Sequence, residues 1–241
     1  MVERRKFLLA FDADDTLWDN QTYFDNTEAA WCGLLSAYGS EEYLHNELYK
    51  TEAANMHNLG YGSKAFTISL IETALRLSNG KVDASILEKS IALGKELIEH
   101  PVDPLPGVID TLALLKKQRK MNAEFEYEMV LFTKGDSLEQ ESKLKRSGLC
   151  DYFDDFEIVT TKGEAEYIRL CRHNEVPPEN LIMVGNSFKS DIDPVLKIGG
   201  RGIYIPFHVT WQFECTEEYE HPKALKLNSF AEIPTALEKL L

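Results

Sequence analysis

The sequence predicts an α/β fold in which a parallel β-sheet carries helices on both faces and is interrupted by an all-helical insertion. Short apolar runs alternate with stretches of helical periodicity through the second half of the 241-residue chain. This alternation is typical of a parallel sheet covered by helices. Between the first and second apolar runs the residues show helical spacing instead, which indicates the insertion.

The predicted strands are apolar runs bounded by turn or helix-start residues. The first run ends in a group of acidic residues, and a Pro177-Pro178 pair precedes the fourth. The predicted strands span residues 7–11, 128–132, 156–159, 181–184 and 202–205. The predicted helices of the same layer span residues 108–120, 138–147, 164–173, 192–198 and 230–240.

The predicted insertion spans residues 19–100 and leaves residues 1–18 and 101–241 as the sheet domain. Apolar residues recur at helical spacing in it, with glycine-rich breaks at 60–63 and 78–80. Prolines at 101, 104 and 106 mark the return to the sheet. The insertion can be a structural elaboration or a lid; its position directly after a strand end favours a lid.

Composition excludes several function classes. The formal net charge of −14 argues against a protein that binds nucleic acid through a basic face. No apolar stretch approaches the ~20 residues that span a bilayer, and the N-terminus has no signal-peptide pattern. The four cysteines show no CxxC spacing, so we expect free thiols and a cytoplasmic location.

The first predicted strand runs directly into Asp12-Ala13-Asp14-Asp15-Thr16. Carboxylates this close repel one another, and buried charges are normally paired or bound to a cation. Ligands bind at the carboxyl ends of strands in α/β sheets. The alternative is an acidic turn that caps the next helix, where Asp and Thr are also favoured.

Three later segments carry polar residues at corresponding places. Thr133-Lys134-Gly135 closes the second predicted strand, Lys162 follows the third, and Asn186 and Asp191 follow the fourth. Each has an ordinary explanation by itself, as a helix cap or an exposed loop residue. Because all strands of a parallel sheet end at one edge, we expect the segments to converge. Carboxylates, a hydroxyl and a lysine at one edge predict a site for a divalent cation and a phosphoryl group.

In this order and spacing the four segments resemble the motifs of the haloacid dehalogenase-like hydrolase superfamily, and the helical insertion resembles its C1-type cap. The resemblance covers most of the chain. It implies a Rossmann-like core and Mg²⁺-dependent phosphoryl transfer through an aspartyl-phosphate. Many members carry Asp where this chain has Asn186, so the resemblance leaves open whether Asn186 binds the metal directly or through water.

The resemblance also implies a role for each residue. Asp12 is the nucleophile, and Asp14 is the acid that protonates the leaving alcohol and the base that then activates water. The backbone carbonyl of Asp14 is a further metal ligand. The implied phosphate-binding residues are Thr133, Lys134, Gly135 and Lys162, and the implied metal ligands are Asp12, Asp14, Asp191 and Asn186.

Asp14 also bears on the reaction class. The dehalogenase branch lacks an acid at this position, since a departing halide needs no proton, whereas a departing alkoxide does. A phosphatase is therefore favoured over a dehalogenase. A phosphomutase shares the core residues, a phosphonate hydrolase needs a lysine of the insertion, and a catalytically silent binding or regulatory protein remains the alternative from another class.

The expected partner is a small phosphorylated metabolite, with no nucleic acid polymer and no membrane. Substrate identity is not fixed by the core motifs, because these contact only phosphate. The candidate specificity residues lie at the start of the insertion and around its glycine-rich break; they are Trp18, Asn20, Tyr23, His57, Tyr61 and Lys64.

Overall fold

The computed structural model describes residues 4–119, 121 and 124–241. Six parallel strands form one sheet in the order β3-β2-β1-β4-β5-β6. The strands are β1 (Arg5–Phe11), β2 (Phe125–Lys134), β3 (Asp155–Val159), β4 (Leu181–Gly185), β5 (Arg201–Tyr204) and β6 (Ala224–Lys226). The predicted α/β class with a parallel sheet is confirmed.

Helices between the strands are α5 (Val108–Gln118), α6 (Ser137–Ser147), α7 (Glu164–His173) and α8 (Asp193–Lys197), and α9 (Ile233–Leu240) follows the last strand. Strand β1 is buried on both faces, as expected of a central parallel strand. Leu9 and Phe11 pack with residues of α5 and α9, whereas Leu8 and Ala10 pack with residues of α7. The helices therefore cover both faces of the sheet, as predicted.

Several predicted boundaries were wrong by a few residues. A π-helical turn at Phe188–Ile192 precedes α8, and a short 3-10 turn at Phe230–Glu232 precedes α9. Residue 120, the last of the predicted 108–120 helix, lies outside the described residues. Strand β6 was not predicted, because its three residues are half-buried or exposed and form no apolar run.

The chain divides into two compact units. The first comprises Met1–Asp19, Val102–Lys134 and Gln140–Leu241, and holds the sheet. The second comprises Asn20–Pro101 and Gly135–Glu139. Helices α1 (Gln21–Leu34), α2 (Glu41–Leu59), α3 (Ser63–Leu77) and α4 (Ala84–Ile98) make the long segment of the second unit helical, as the spacing predicted.

The second unit has an apolar core of its own, which includes Trp31, Leu48 and Leu70. The Ser40 hydroxyl accepts a hydrogen bond at the start of α2, and the Asp83 carboxylate does so at the start of α4. No helix in the described ranges is both long enough and apolar enough to cross a bilayer.

Candidate active site

The carboxyl ends of β1, β2 and β4 lie side by side at one edge of the sheet. Asp12 directly follows β1, and its amide donates to the Val184 carbonyl at 2.9 Å. Thr133 is buried near the end of β2, and Asn186 directly follows β4. The strand order thus places three of the predicted motifs next to one another.

Lys162 lies between two carboxylates at this edge. Its Nζ atom contacts Asp12 Oδ1 and lies 2.7 Å from Asp191 Oδ1. The three side chains are almost completely buried, with 1%, 10% and 1% of the side-chain surface of Lys162, Asp12 and Asp191 exposed. Lys162 precedes α7, where the helix dipole disfavours a cation, and this pairing explains its position there.

The cluster carries more negative charge than one lysine neutralises. Burial lowers the pKa of Lys162, but the charges of Asp12 and Asp191 outweigh burial and raise that pKa, so the ammonium stays charged. Burial, with a further contribution from the Asp12 charge, raises the pKa of Asp191 above its usual value despite Lys162. A second cation would stabilise both carboxylates in their ionised forms.

The oxygen atoms at this place are those that Mg²⁺ prefers. Thr16 Oγ1 lies 3.2 Å from both Asp12 Oδ2 and Asn186 Oδ1, so a carboxylate and an amide oxygen flank one hydroxyl. In the described ranges no three His, Cys, Asp or Glu side chains form a metal-binding group by themselves. Mg²⁺ commonly uses one or two carboxylates and retains several waters. The side chains of Asp12, Asp191 and Asn186 therefore suit a partly hydrated Mg²⁺, and the Asp14 carbonyl stays a predicted ligand.

Gly185 lets the Asp191 side chain fold back against the end of β4. A Cβ atom at position 185 would lie 2.2 Å from Asp191 Oδ2, which is closer than real contacts allow. Asp191 Oδ2 also accepts a hydrogen bond from the Ser187 amide at 3.0 Å. A glycine at the end of β4 is therefore needed to seat this carboxylate beside Lys162.

The Asp14 carboxylate accepts hydrogen bonds from three side chains. Trp18 Nε1 donates to Oδ1 at 2.8 Å, Gln140 Nε2 donates to Oδ2 at 2.7 Å, and Lys143 Nζ lies 3.1 and 3.2 Å from the two oxygens. Burial raises the pKa of Asp14, but the Lys143 charge and these hydrogen bonds outweigh it and lower the pKa below its usual value. Asp14 is therefore ionised at neutral pH.

Trp18 is a predicted substrate contact, but the structure places it in the protein interior. Its side chain is completely buried in the first unit, and its indole N–H is used by Asp14. The turn is closed by a hydrogen bond from the Asp15 amide to the Trp18 carbonyl, with Asp15 at a φ of +61°. Because it has no exposed surface, Trp18 supports the Asp14 turn rather than offering a surface to a ligand.

Lys134 is already paired within the first unit. Its Nζ atom contacts Glu214 and lies 3.0 Å from Ser190 Oγ. The lysine charge is therefore held by a carboxylate, and the predicted phosphate contact at position 134 is left to the backbone amide. Gly135, at a φ of +151°, begins the short segment that belongs to the second unit.

Glu214 is a residue of the site region that the sequence did not reveal. Besides Lys134, its carboxylate accepts from Ser187 Oγ at 2.5 Å and Ser190 Oγ at 2.6 Å. Burial raises the pKa of Glu214, but Lys134 and the two serine hydroxyls together lower it to about 2. Glu214 thus ties the loop after β5 to the segment that carries Asn186 and Asp191.

Replacing Glu214 with glutamine is expected to lower the free energy of unfolding at pH 7 by about 3 kcal/mol, from the pKa difference between the folded and unfolded states. A lowered folded-state pKa stabilises above the unfolded-state pKa of 4.5, and this stabilisation is lost as the pH falls towards 2. Urea unfolding at pH 7 and pH 3.5 measures this, with Glu217→Gln in the exposed part of the same loop as control. A gap between wild type and Glu214→Gln that does not shrink at pH 3.5 would contradict the assignment.

The other specificity candidates all lie in the second unit. Tyr23 packs on the His100 ring with centroids 4.6 Å apart, and Lys64 pairs with Asp136 at 2.7 Å. His57 is exposed near the end of α2, and Asn20 and Tyr61 are half-buried. Their assignment as substrate contacts stays a prediction.

Comparison with known proteins decides the family. The model of the haloacid dehalogenase-like hydrolases matches residues 8–199, which include all four predicted motifs. The chain belongs to the haloacid dehalogenase-like hydrolases. The family predicted from the sequence is therefore confirmed, and the chain is an enzyme of the hydrolase class.

Solved structures agree with this assignment. A haloacid dehalogenase-like family hydrolase from Xanthomonas campestris is 33% identical, with a TM-score of 0.85 over 100% of this chain and 94% of that one. A 2-haloacid dehalogenase from Pseudomonas syringae is 18% identical, with a TM-score of 0.63 over 99% and 100% of the two chains. YfnB from Bacillus subtilis, bound to magnesium, is 16% identical, with a TM-score of 0.64 over 98% and 100%.

The more distant matches show the fold alone, and they include structures described as phosphatases, dehalogenases and a phosphomutase. A search of the curated proteins finds no significant match. The reaction of this haloacid dehalogenase-like hydrolase therefore depends on its own site residues.

Proposed function

We propose that this hydrolase is a Mg²⁺-dependent phosphatase that cleaves a small phosphorylated metabolite, a phosphate monoester, through an aspartyl-phosphate on Asp12. The observation that carries the proposal is the second carboxylate, Asp14, which is held in place two residues after Asp12. A halide leaves without a proton, so a dehalogenase has no use for a carboxylate fixed there. A phosphate ester needs one, because an alkoxide is a poor leaving group until it is protonated.

In the first step an oxygen of Asp12 attacks phosphorus while the bond from phosphorus to the ester oxygen breaks. Lys162 contacts Asp12 and stays charged, so it reduces the repulsion between the carboxylate and the phosphate dianion. Bound Mg²⁺ supplies further positive charge to the phosphoryl oxygens. The Thr133 hydroxyl and the amides of Lys134 and Gly135 bind the phosphoryl group.

Asp14 moves the protons in both steps. It gives a proton to the leaving alkoxide, and it then takes one from the water that attacks the phosphorus of the aspartyl-phosphate, which frees Asp12 again. Asp14 is ionised in the free protein, which is the form that the hydrolysis step requires. A bound phosphate dianion raises the pKa of a nearby carboxylate, which favours the protonated form when substrate is present.

Residues 19–100 are proposed to act as a cap that selects the leaving group, with Asn20, Tyr23, His57, Tyr61 and Lys64 as candidate contacts. The cytoplasm is the proposed location. The four cysteines, at positions 32, 150, 171 and 215, are free thiols, which suits a reducing compartment.

Purified protein is expected to release phosphate from p-nitrophenyl phosphate with Mg²⁺ and to lose about two orders of magnitude of that rate in EDTA, because the metal contributes several kcal/mol of charge stabilisation. Excess Mg²⁺ should restore the rate. A panel of phosphorylated metabolites, compared by kcat/KM, then identifies the leaving group.

Three outcomes would contradict this proposal. Halide release from 2-haloacids would indicate a dehalogenase, and phosphoryl transfer between sugar positions without phosphate release would indicate a mutase. Absence of metal-dependent turnover on the whole panel would indicate a binding or regulatory protein.

A further inference from the structure

Lys143 is a completely buried lysine that the catalytic scheme above does not use. Only 1% of its side chain is exposed, and its Nζ atom lies 3.1 and 3.2 Å from the two oxygens of Asp14. Burial of an ammonium group costs several kcal/mol unless a carboxylate compensates it. A lysine in the polar helix α6 could reach solvent, so the burial of Lys143 against Asp14 indicates a specific interaction between the two residues.

Gln140 lies on the same face of α6, three residues before Lys143. Its Nε2 atom donates to Asp14 Oδ2 at 2.7 Å and to the Lys134 carbonyl at 3.3 Å. Both neighbours are hydrogen-bond acceptors. If Oε1 and Nε2 of the Gln140 amide exchanged places, Oε1 would therefore face two acceptor oxygens. In the described structure Gln140 Oε1 is buried without a hydrogen-bond partner, which costs about 1–3 kcal/mol. The amide therefore serves Asp14 at a cost to its own hydrogen bonding.

A buried ion pair that only fastens α6 to the sheet is the structural alternative. Such a pair needs one contact, however, and here both carboxylate oxygens are fixed from two directions. Trp18 donates to Oδ1 from the turn after β1, and α6 supplies donors to both oxygens. The arrangement sets the position and the plane of the carboxylate.

We propose that Lys143 and Gln140 are positioning residues that orient the Asp14 carboxylate for proton transfer to the leaving group and from the attacking water. The inference rests on the proposed phosphatase function and deepens it. It assigns to α6 a part in the chemistry, exerted through Asp14, with no contact between Lys143 or Gln140 and the substrate.

The test compares Lys143→Met with wild type on an alkyl phosphate and on p-nitrophenyl phosphate. Methionine keeps the length of the side chain and removes the charge. On the alkyl phosphate, kcat is expected to fall about tenfold or more while KM stays within about twofold, because ground-state phosphate binding is untouched. Lys145→Met is the control, since Lys145 lies on the same helix, is exposed and pairs with Glu141; it should keep wild-type kcat on both substrates.

Nitrophenolate leaves without a proton, so the first step on p-nitrophenyl phosphate should be preserved and only the hydrolysis of the aspartyl-phosphate slowed. Lys143→Met is therefore expected to release a rapid burst of about one equivalent of nitrophenolate before a slow steady state. General loosening of the site would slow the burst as well.

A double-mutant cycle with Asp14→Asn separates positioning from structure. If Lys143 acts through Asp14, Lys143→Met should cost no further activity once Asp14 is asparagine. Gln140→Leu is the second variant, to be used if Lys143→Met does not fold. It should also lower kcat on the alkyl phosphate and spare the nitrophenolate burst.

A nitrophenolate burst that slows as much as kcat on the alkyl phosphate, or a loss that persists in the Asp14→Asn background, would overturn the positioning role while the phosphatase proposal stands. Wild-type protein without metal-dependent activity on either phosphate or on any member of the metabolite panel would overturn the phosphatase proposal and the inference with it.

Discussion

Asp12→Asn is expected to reduce phosphate release by about three orders of magnitude or more, the scale seen when an enzyme loses its nucleophile. An amide oxygen does not form an acyl phosphate, so the first step stops. Substrate binding should survive, since Lys162, Thr133 and the neighbouring amides remain. Steady-state kinetics measures the loss, and Asp155→Asn, an exposed carboxylate at the start of β3, is the matched control.

The same substitution should leave the protein folded. Asp12 is one of two buried carboxylates that face Lys162, and its charge contributes to the raised pKa of Asp191. With asparagine at position 12, Lys162 and Asp191 form a balanced pair. The melting temperature of the metal-free variant should therefore equal or exceed that of wild type, which separates a loss of chemistry from a loss of structure.

Mass spectrometry of acid-quenched wild-type protein is expected to find phosphate on the peptide that contains Asp12, and none on the variant. Retention of more than about a tenth of wild-type activity in Asp12→Asn would rule Asp12 out as the nucleophile.

The sheet could be predicted because a central parallel strand is buried on both faces. Strand β1 therefore appears in the sequence as a continuous apolar run, and β4 does too. Strand β6 lies at the edge of the sheet, and none of its three residues is buried. It carries no apolar run, so hydrophobicity could not reveal it.

The same topology explains which part of the site could be predicted. Asp12, Thr133 and Asn186 sit at or next to the ends of strands β1, β2 and β4, and a parallel sheet must bring those ends together. Lys162 and Asp191 follow the strands by only a few residues. Their proximity follows from strand order and not from any contact between neighbours in sequence.

Gln140, Lys143 and Glu214 could not be found in this way. Lys143 is one of several basic residues in a polar helix, and the apolar spacing that marks a buried helix face is missing there. Glu214 lies in the loop between β5 and β6, where no periodic pattern exists. Their burial depends on tertiary contacts, which the sequence pattern does not show. The burial of Trp18 in the turn that carries Asp14 could not be predicted for the same reason.

Lys162→Met is expected to lower the free energy of unfolding of the metal-free protein by about 3–5 kcal/mol, the usual cost of removing one partner from a buried ion pair. The ammonium contacts both Asp12 and Asp191, so its removal leaves two buried carboxylates facing each other without a cation. Urea unfolding in EDTA measures this loss. Lys197→Met is the control, because Lys197 is exposed and pairs only at the surface with Asp193.

Mg²⁺ should restore part of the stability of Lys162→Met, because a cation bound by Asp12 and Asp191 replaces some of the missing positive charge. The activity should nevertheless stay about a hundredfold or more below wild type at saturating Mg²⁺, since the lysine charge also opposes the repulsion between Asp12 and the phosphate. Lys162→Arg keeps the charge and changes its shape, so it should be more stable than Lys162→Met in EDTA.

These two measurements separate the roles of Lys162. A destabilisation that is large in EDTA and smaller in Mg²⁺ follows only if the lysine and the metal neutralise the same carboxylates. A loss of less than about 1 kcal/mol of unfolding free energy in EDTA is typical of a surface salt bridge. It would contradict the buried contacts of Lys162 with Asp12 and Asp191. A large loss that Mg²⁺ does not change would mean that Asp12 and Asp191 do not hold the metal, and the ligand set proposed for it would have to be abandoned.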